Sequence, residues 1–87
     1  MLDREALRVQ GLPRKLPRRQ TAYRLSVTDQ FGQPAPGATV SVSGRGLALQ
    51  TMTDSRGHAG MSLIRLRGGL RLSISAPTYR TLTVVIK

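Results

Sequence analysis

The sequence predicts an all-β fold: a small antiparallel β-sandwich of six to seven strands behind an extended basic N-terminal arm. Three observations lead there. From residue 21 onward, apolar and polar residues alternate in short runs, and a strand sends successive side chains to opposite faces. Between the runs, Gly, Pro, Asp and Ser cluster, which is turn chemistry. No stretch after residue 20 repeats its apolar residues with a helical period.

The elements follow in chain order. Residues 21–28 form the first expected strand, with Tyr23, Leu25 and Val27 on one face and Arg24, Ser26 and Thr28 on the other. The turn Asp29–Pro34 and a kink at Ala35-Pro36-Gly37 lead to a second strand over 38–43, with Ala38, Val40 and Val42 inward. Gly44-Arg45-Gly46 is a tight connection to a third strand over 47–53. Asp54-Ser55-Arg56-Gly57 has Asp first and Gly last, which favours a type I turn. A fourth strand spans 58–66 with Ala59, Met61 and Leu63 inward. After Arg67-Gly68-Gly69 a fifth spans 70–76 with Leu70, Leu72 and Ile74 inward, and a sixth spans 80–86 with Leu82, Val84 and Ile86 inward. The run LTVVI is the most aggregation-prone window and should be paired or covered.

Residues 1–20 differ, so the expected division is a basic arm over 1–20 and a sandwich domain over 21–87. Arg4, Arg8, Arg14, Lys15, Arg18 and Arg19 oppose only Asp3 and Glu5. Leu2, Ala6, Leu7 and Val9 suggest one or two helical turns, stopped by Gly11 and Pro13. Pro13 and Pro17 then favour an extended path. Such a segment alone does not offset its ordering entropy, so a neighbouring chain is expected to hold it.

Composition narrows the function. A chain of 87 residues is one domain. At that size about 60–65% of the unfolded surface is buried, so the core is small. There is no Cys and no Trp, one Phe and two Tyr, so the core is aliphatic and thiolate chemistry is excluded. A net charge of +10 points to an anionic partner. Only Lys15 and Lys87 are lysines, and Arg is the better residue for bidentate pairs with carboxylate or phosphate. The first twenty residues lack the apolar run of a secretory signal, and no stretch is long and apolar enough to span a bilayer as a helix. The expectation is a chain made in the cytoplasm and incorporated into a particle.

The order VTDQFGQPAPGATVSV, then TDSRGHAGMSL, then LSISAPTY resembles the carboxypeptidase regulatory-like domains, whose sandwich is transthyretin-like (prealbumin-like). It is also similar to the bacterial Ig-like domains of adhesins. The resemblance covers residues 23–87. It implies a seven-stranded Ig-like or transthyretin-like sandwich, one strand more than the six counted here. The seventh is missing, comes from the arm, or is supplied by a partner. The resemblance also implies that Tyr79 packs on the core edge, although Thr78 stands where the family commonly has Gly. These sandwiches serve as spacers, adhesion modules and docking modules, so the fold alone does not choose among them.

Candidate chemistry is sparse. Asp29 and Asp54 sit in turns, where Asp bonds backbone. His58 has no second ligand for a metal nearby. Ser55, His58 and Asp54 can be drawn as a nucleophilic set, but they are near neighbours in one turn with no oxyanion hole implied. Gly44-Arg45-Gly46 and Arg67-Gly68-Gly69 read as hairpin turns rather than RNA-binding tracts. No catalytic residue, cofactor or metal is therefore assigned. Partner contact is assigned to Arg4, Arg8, Arg14, Lys15, Arg18, Arg19, Arg65, Arg67 and Arg71. The function expected is a non-enzymatic structural or docking module of a larger assembly: a virion, tail or secretion-machine accessory, a decoration or a cement protein. In it the arm would anchor to a neighbouring protein subunit, in an oligomer or in many copies. The alternatives are nonspecific contact with nucleic acid, lacking the aromatics that stack bases, and a surface adhesion or carbohydrate-binding module. No membrane partner is expected.

Overall fold

The computed structural model of the chain describes residues 6–87. Seven strands form two antiparallel sheets: β1 (Leu7–Gln10), β2 (Thr21–Asp29), β3 (Thr39–Gly44), β4 (Leu47–Met52), β5 (His58–Leu63), β6 (Leu70–Ser75) and β7 (Leu82–Ile86). One sheet has the order β1-β2-β5, the other β4-β3-β6-β7. No helix among the described residues is long and apolar enough to cross a membrane. The inward residues read from alternation are the core: Leu25, Val27, Val40, Val42, Leu63, Leu70, Leu72 and Ile74 are nearly or fully buried.

Two crossings join the sheets. At the first, Ala35 N–H donates to the Val27 carbonyl at 3.0 Å, and Val27 N–H donates to the Gly57 carbonyl at 2.8 Å. Gly57 has φ +78, and a Cβ there would strike the Val27 carbonyl oxygen, so backbone approaches too closely for any side chain. At the second, the buried Thr53 hydroxyl donates to the Ala35 carbonyl at 2.6 Å and accepts from Ala38 N–H at 2.8 Å. This satisfies polar groups that burial would otherwise penalise.

The leader departs from expectation. Its helical turns are absent over the described part. Leu7–Gln10 is an edge strand paired with β2, Leu7 opposite Asp29 and Gln10 opposite Ser26. This is the seventh strand. Leu7 and Leu16 join the core at 5% and 6% exposure, with Val9 and Leu12 packed against it. Gly11, at φ +96, ends β1 where the chain crosses β2, and a Cβ there would strike the Arg24 carbonyl oxygen. The chain then runs toward the end of β5, where Arg65 N–H donates to the Pro17 carbonyl at 2.8 Å. Over residues 6–20 the leader therefore pairs with β2 and packs against the core. Charge outweighs pattern in a first reading, yet Leu7 and Val9 alternate with Arg8 and Gln10 as a half-buried strand requires. Arg4 and the other residues before Ala6 lie outside the described residues.

A second departure is at β5, which ends at Leu63 rather than 66. Leu63 pairs with Thr21, the first residue of β2, so the ladder has no partner beyond it. Strand β4 shows what three strands cannot cover. None of its residues is buried. Leu49 lies opposite Val42 on the inward face, yet at this edge of the four-stranded sheet it remains 36% exposed.

Candidate docking surface

The registers bring basic residues from distant parts of the chain to one end of the bead. The β3–β4 loop holds Arg45. Ser43 pairs with Arg71, which places the start of β6 beside that loop. Leu70 pairs with Ile86, so Lys87 arrives at the same end. The turn between β5 and β6 closes with Gly69 N–H donating to the Leu66 carbonyl at 3.0 Å and presents Arg65 and Arg67. The Arg65–Pro17 backbone bond fixes the leader's Lys15 and Arg18 there as well.

Three adjoining depressions, of about 350, 340 and 410 Å3, mark this cationic pole. Arg45, Arg67 and Arg71 line the first, Arg65, Arg67 and Lys87 the second, and Lys15, Arg18, Arg65 and Lys87 the third. Among the described residues, no acidic one lines any of them. Among the described residues, only Asp29 and Asp54 are acidic, and they sit in turns at the far ends of β2 and β4. Of the nine residues assigned from sequence, Lys15, Arg18, Arg65, Arg67 and Arg71 come together. Arg14 and Arg19 are exposed on the leader and line none of the three. Arg8 stands apart, opposite Thr28 near the other end. Arg45 and Lys87 belong to the pole without having been assigned. The antiparallel return of β3, β6 and β7 is the signal that could have found them.

The acids are engaged as turn chemistry expects. Asp29 Oδ1 accepts from Phe31 N–H at 2.8 Å and Gln33 N–H at 2.9 Å. Asp54 Oδ1 accepts from Arg56 N–H at 2.8 Å and His58 N–H at 2.9 Å. The His58 N–H, then the Arg56 N–H, hold the Asp54 carboxyl below the usual carboxylate range, with the nearby Arg24 charge adding to this. Arg24 Nη2 lies 2.8 Å from His58 Nδ1. A guanidinium only donates, so Nδ1 is the acceptor and the ring proton sits on Nε2. With Arg24 on Nδ1, no carboxylate orients this imidazole as a nucleophilic triad requires.

The comparisons with known proteins agree with the architecture. No curated protein and no solved structure matches the chain. The carboxypeptidase regulatory-like domain model matches residues 24–87. The matched family is a regulatory-like, non-catalytic type of domain, and its match begins inside β2. By this match over most of its length, the chain belongs to the carboxypeptidase regulatory-like domain family.

Proposed function

We propose that this domain is a non-enzymatic docking module of a larger protein assembly, seated through its cationic pole on an acidic surface of a neighbouring subunit. The observation that carries the reading is the convergence of Lys15, Arg18, Arg45, Arg65, Arg67, Arg71 and Lys87 on one end, where no described acidic residue lines the depressions. A surface of one sign steers association and fixes orientation more than it adds affinity. The anchoring role assigned to a free arm passes to leader cations held in place, because Leu16 is in the core and Pro17 is bonded to Arg65. An assembly setting such as a virion, a tail or a secretion machine is supported by the small core and by an edge strand with apolar side chains in solvent.

The test is co-sedimentation of the tagged full chain with large complexes of its native cell, at low salt. The Arg65→Glu, Arg67→Glu double variant is expected to move to the free fraction while its circular dichroism stays unchanged. Unchanged co-sedimentation would contradict the reading. The same pole favours a second reading, nonspecific contact with nucleic acid. Nuclease treatment separates the two: it releases the chain only under the second. Duplex DNA binding would then fall with log salt with a slope of about −0.9 per phosphate contacted.

A further inference from the structure

We infer that strand β4 is a self-pairing edge, through which two copies of this chain join antiparallel into one eight-stranded sheet. This does not rest on the docking role proposed for the cationic pole, although Arg45 belongs to both surfaces. A sheet edge with unpaired backbone groups is a template for another strand, and proteins usually protect it with charge, proline or a short length. Leu47–Met52 has six residues, no charged side chain and no proline. Its antiparallel ladder to β3 leaves every second residue with outward N–H and C=O groups. Met52 is 60% exposed and Leu49 stands open on the inward face.

The charges at the strand ends select the occupant. Arg45 precedes β4 by two residues and Asp54 follows it by two. Antiparallel mating of two copies therefore brings each Arg45 end beside the other copy's Asp54 end, twice by symmetry. Both backbone bonds to Asp54 fall on Oδ1, so neither occupies Oδ2. The other edges lack this. Mating β7 with itself would set Arg80 against Lys87, and mating β5 would set Arg56 against Arg65, like charges in both cases. Strand β1 has Arg8 within it.

Symmetry also restricts the register. A twofold axis normal to the sheet keeps the buried faces continuous, so residues of one face meet their own kind. With Gln50 on the axis, Ala48 faces Met52 of the partner subunit, small against large, and Leu49 is covered by Thr51 of the partner subunit. Gly46 then lies opposite Asp54 of the partner subunit, with Arg45 next to it. The two cationic poles point to opposite ends of the dimer, which limits their repulsion.

The test is sedimentation velocity of the full chain over a concentration series reaching about 1 mM, since an edge pairing of this size is expected to be weak. Wild type is expected to dimerise reversibly. Leu49→Lys should weaken the dimer at least about tenfold with an unchanged circular dichroism spectrum. The chain has no cysteine, so single cysteines report the geometry should Leu49→Lys fail to fold. Gln50→Cys should form a disulfide dimer on mild oxidation, and Val85→Cys, on the β7 edge, should not. The Arg65→Glu, Arg67→Glu variant should dimerise as wild type does. A chain that stays monomeric throughout overturns the proposal and leaves the edge to a strand of another protein. So does a dimer indifferent to Leu49→Lys, or one in which both cysteine variants cross-link equally.

Discussion

The leader and strand β4 invert each other's appearance. Residues 6–20 hold Arg8, Arg14, Lys15, Arg18 and Arg19 and no acid, yet they place Leu7 and Leu16 in the core. Strand β4 holds no charge at all, yet it buries none of its side chains. The difference lies in what stands across the sandwich. Leu7 and Leu16 of the leader reach the core cluster, with Val9 and Leu12 packed against it, while β4 sends only Leu47 to its margin. Local hydrophobicity says which face of a strand is apolar. It does not say whether another layer reaches that face.

The sharpest way to break the comparison is to remove the leader. Deleting residues 1–20 takes away an edge strand and two core leucines. A chain of this length has a total stability of about 4–13 kcal/mol, and a buried Leu→Ala change alone costs about 2–5 kcal/mol. Cooperative thermal unfolding by circular dichroism is therefore expected to be lost. An unchanged melting curve would make the leader an appendage after all.

A smaller contrast comes from two single leucines. Leu16→Ala is expected to destabilise by about 2–5 kcal/mol in urea unfolding. Leu49→Ala, which empties no packed site, should stay within about 1 kcal/mol. Equal losses would mean that β4 is covered in the monomer.

The weakest effect concerns acid. The lowered pKa of Asp54 means that its ionised form favours the fold. That contribution is fully present above the unfolded-state value and lost as pH falls through the lowered folded-state value. Asp54→Asn should flatten the acid limb of the stability–pH curve, read as urea midpoints from neutral to acidic pH, and change little else. The group is exposed, so the effect is small.

Most of the fold was legible because aliphatic alternation is a local signal. Leu25 and Val27, Val40 and Val42, and Leu70, Leu72 and Ile74 take the faces that their spacing assigns. The turns at Asp29 and Asp54 were legible for the same reason: each carboxylate bonds backbone two and four residues on. Strand β1 was not, because four residues give too short an alternation to outweigh the surrounding arginines. The cationic pole was half legible. Arg65, Arg67 and Arg71 are near in sequence, but Arg45, Lys87 and the leader's Lys15 and Arg18 meet them only through strand pairing.

Native-state hydrogen exchange of the isolated chain, held dilute enough to be monomeric, tests the account most directly. The amide of Arg65, bonded to Pro17, and the β1 amides bonded to β2 are expected to be protected, opening together with β2 rather than ahead of it. Leader amides that exchange at unprotected rates while β2 and β3 stay protected would contradict the account, and the leader would again be a tether awaiting its neighbour.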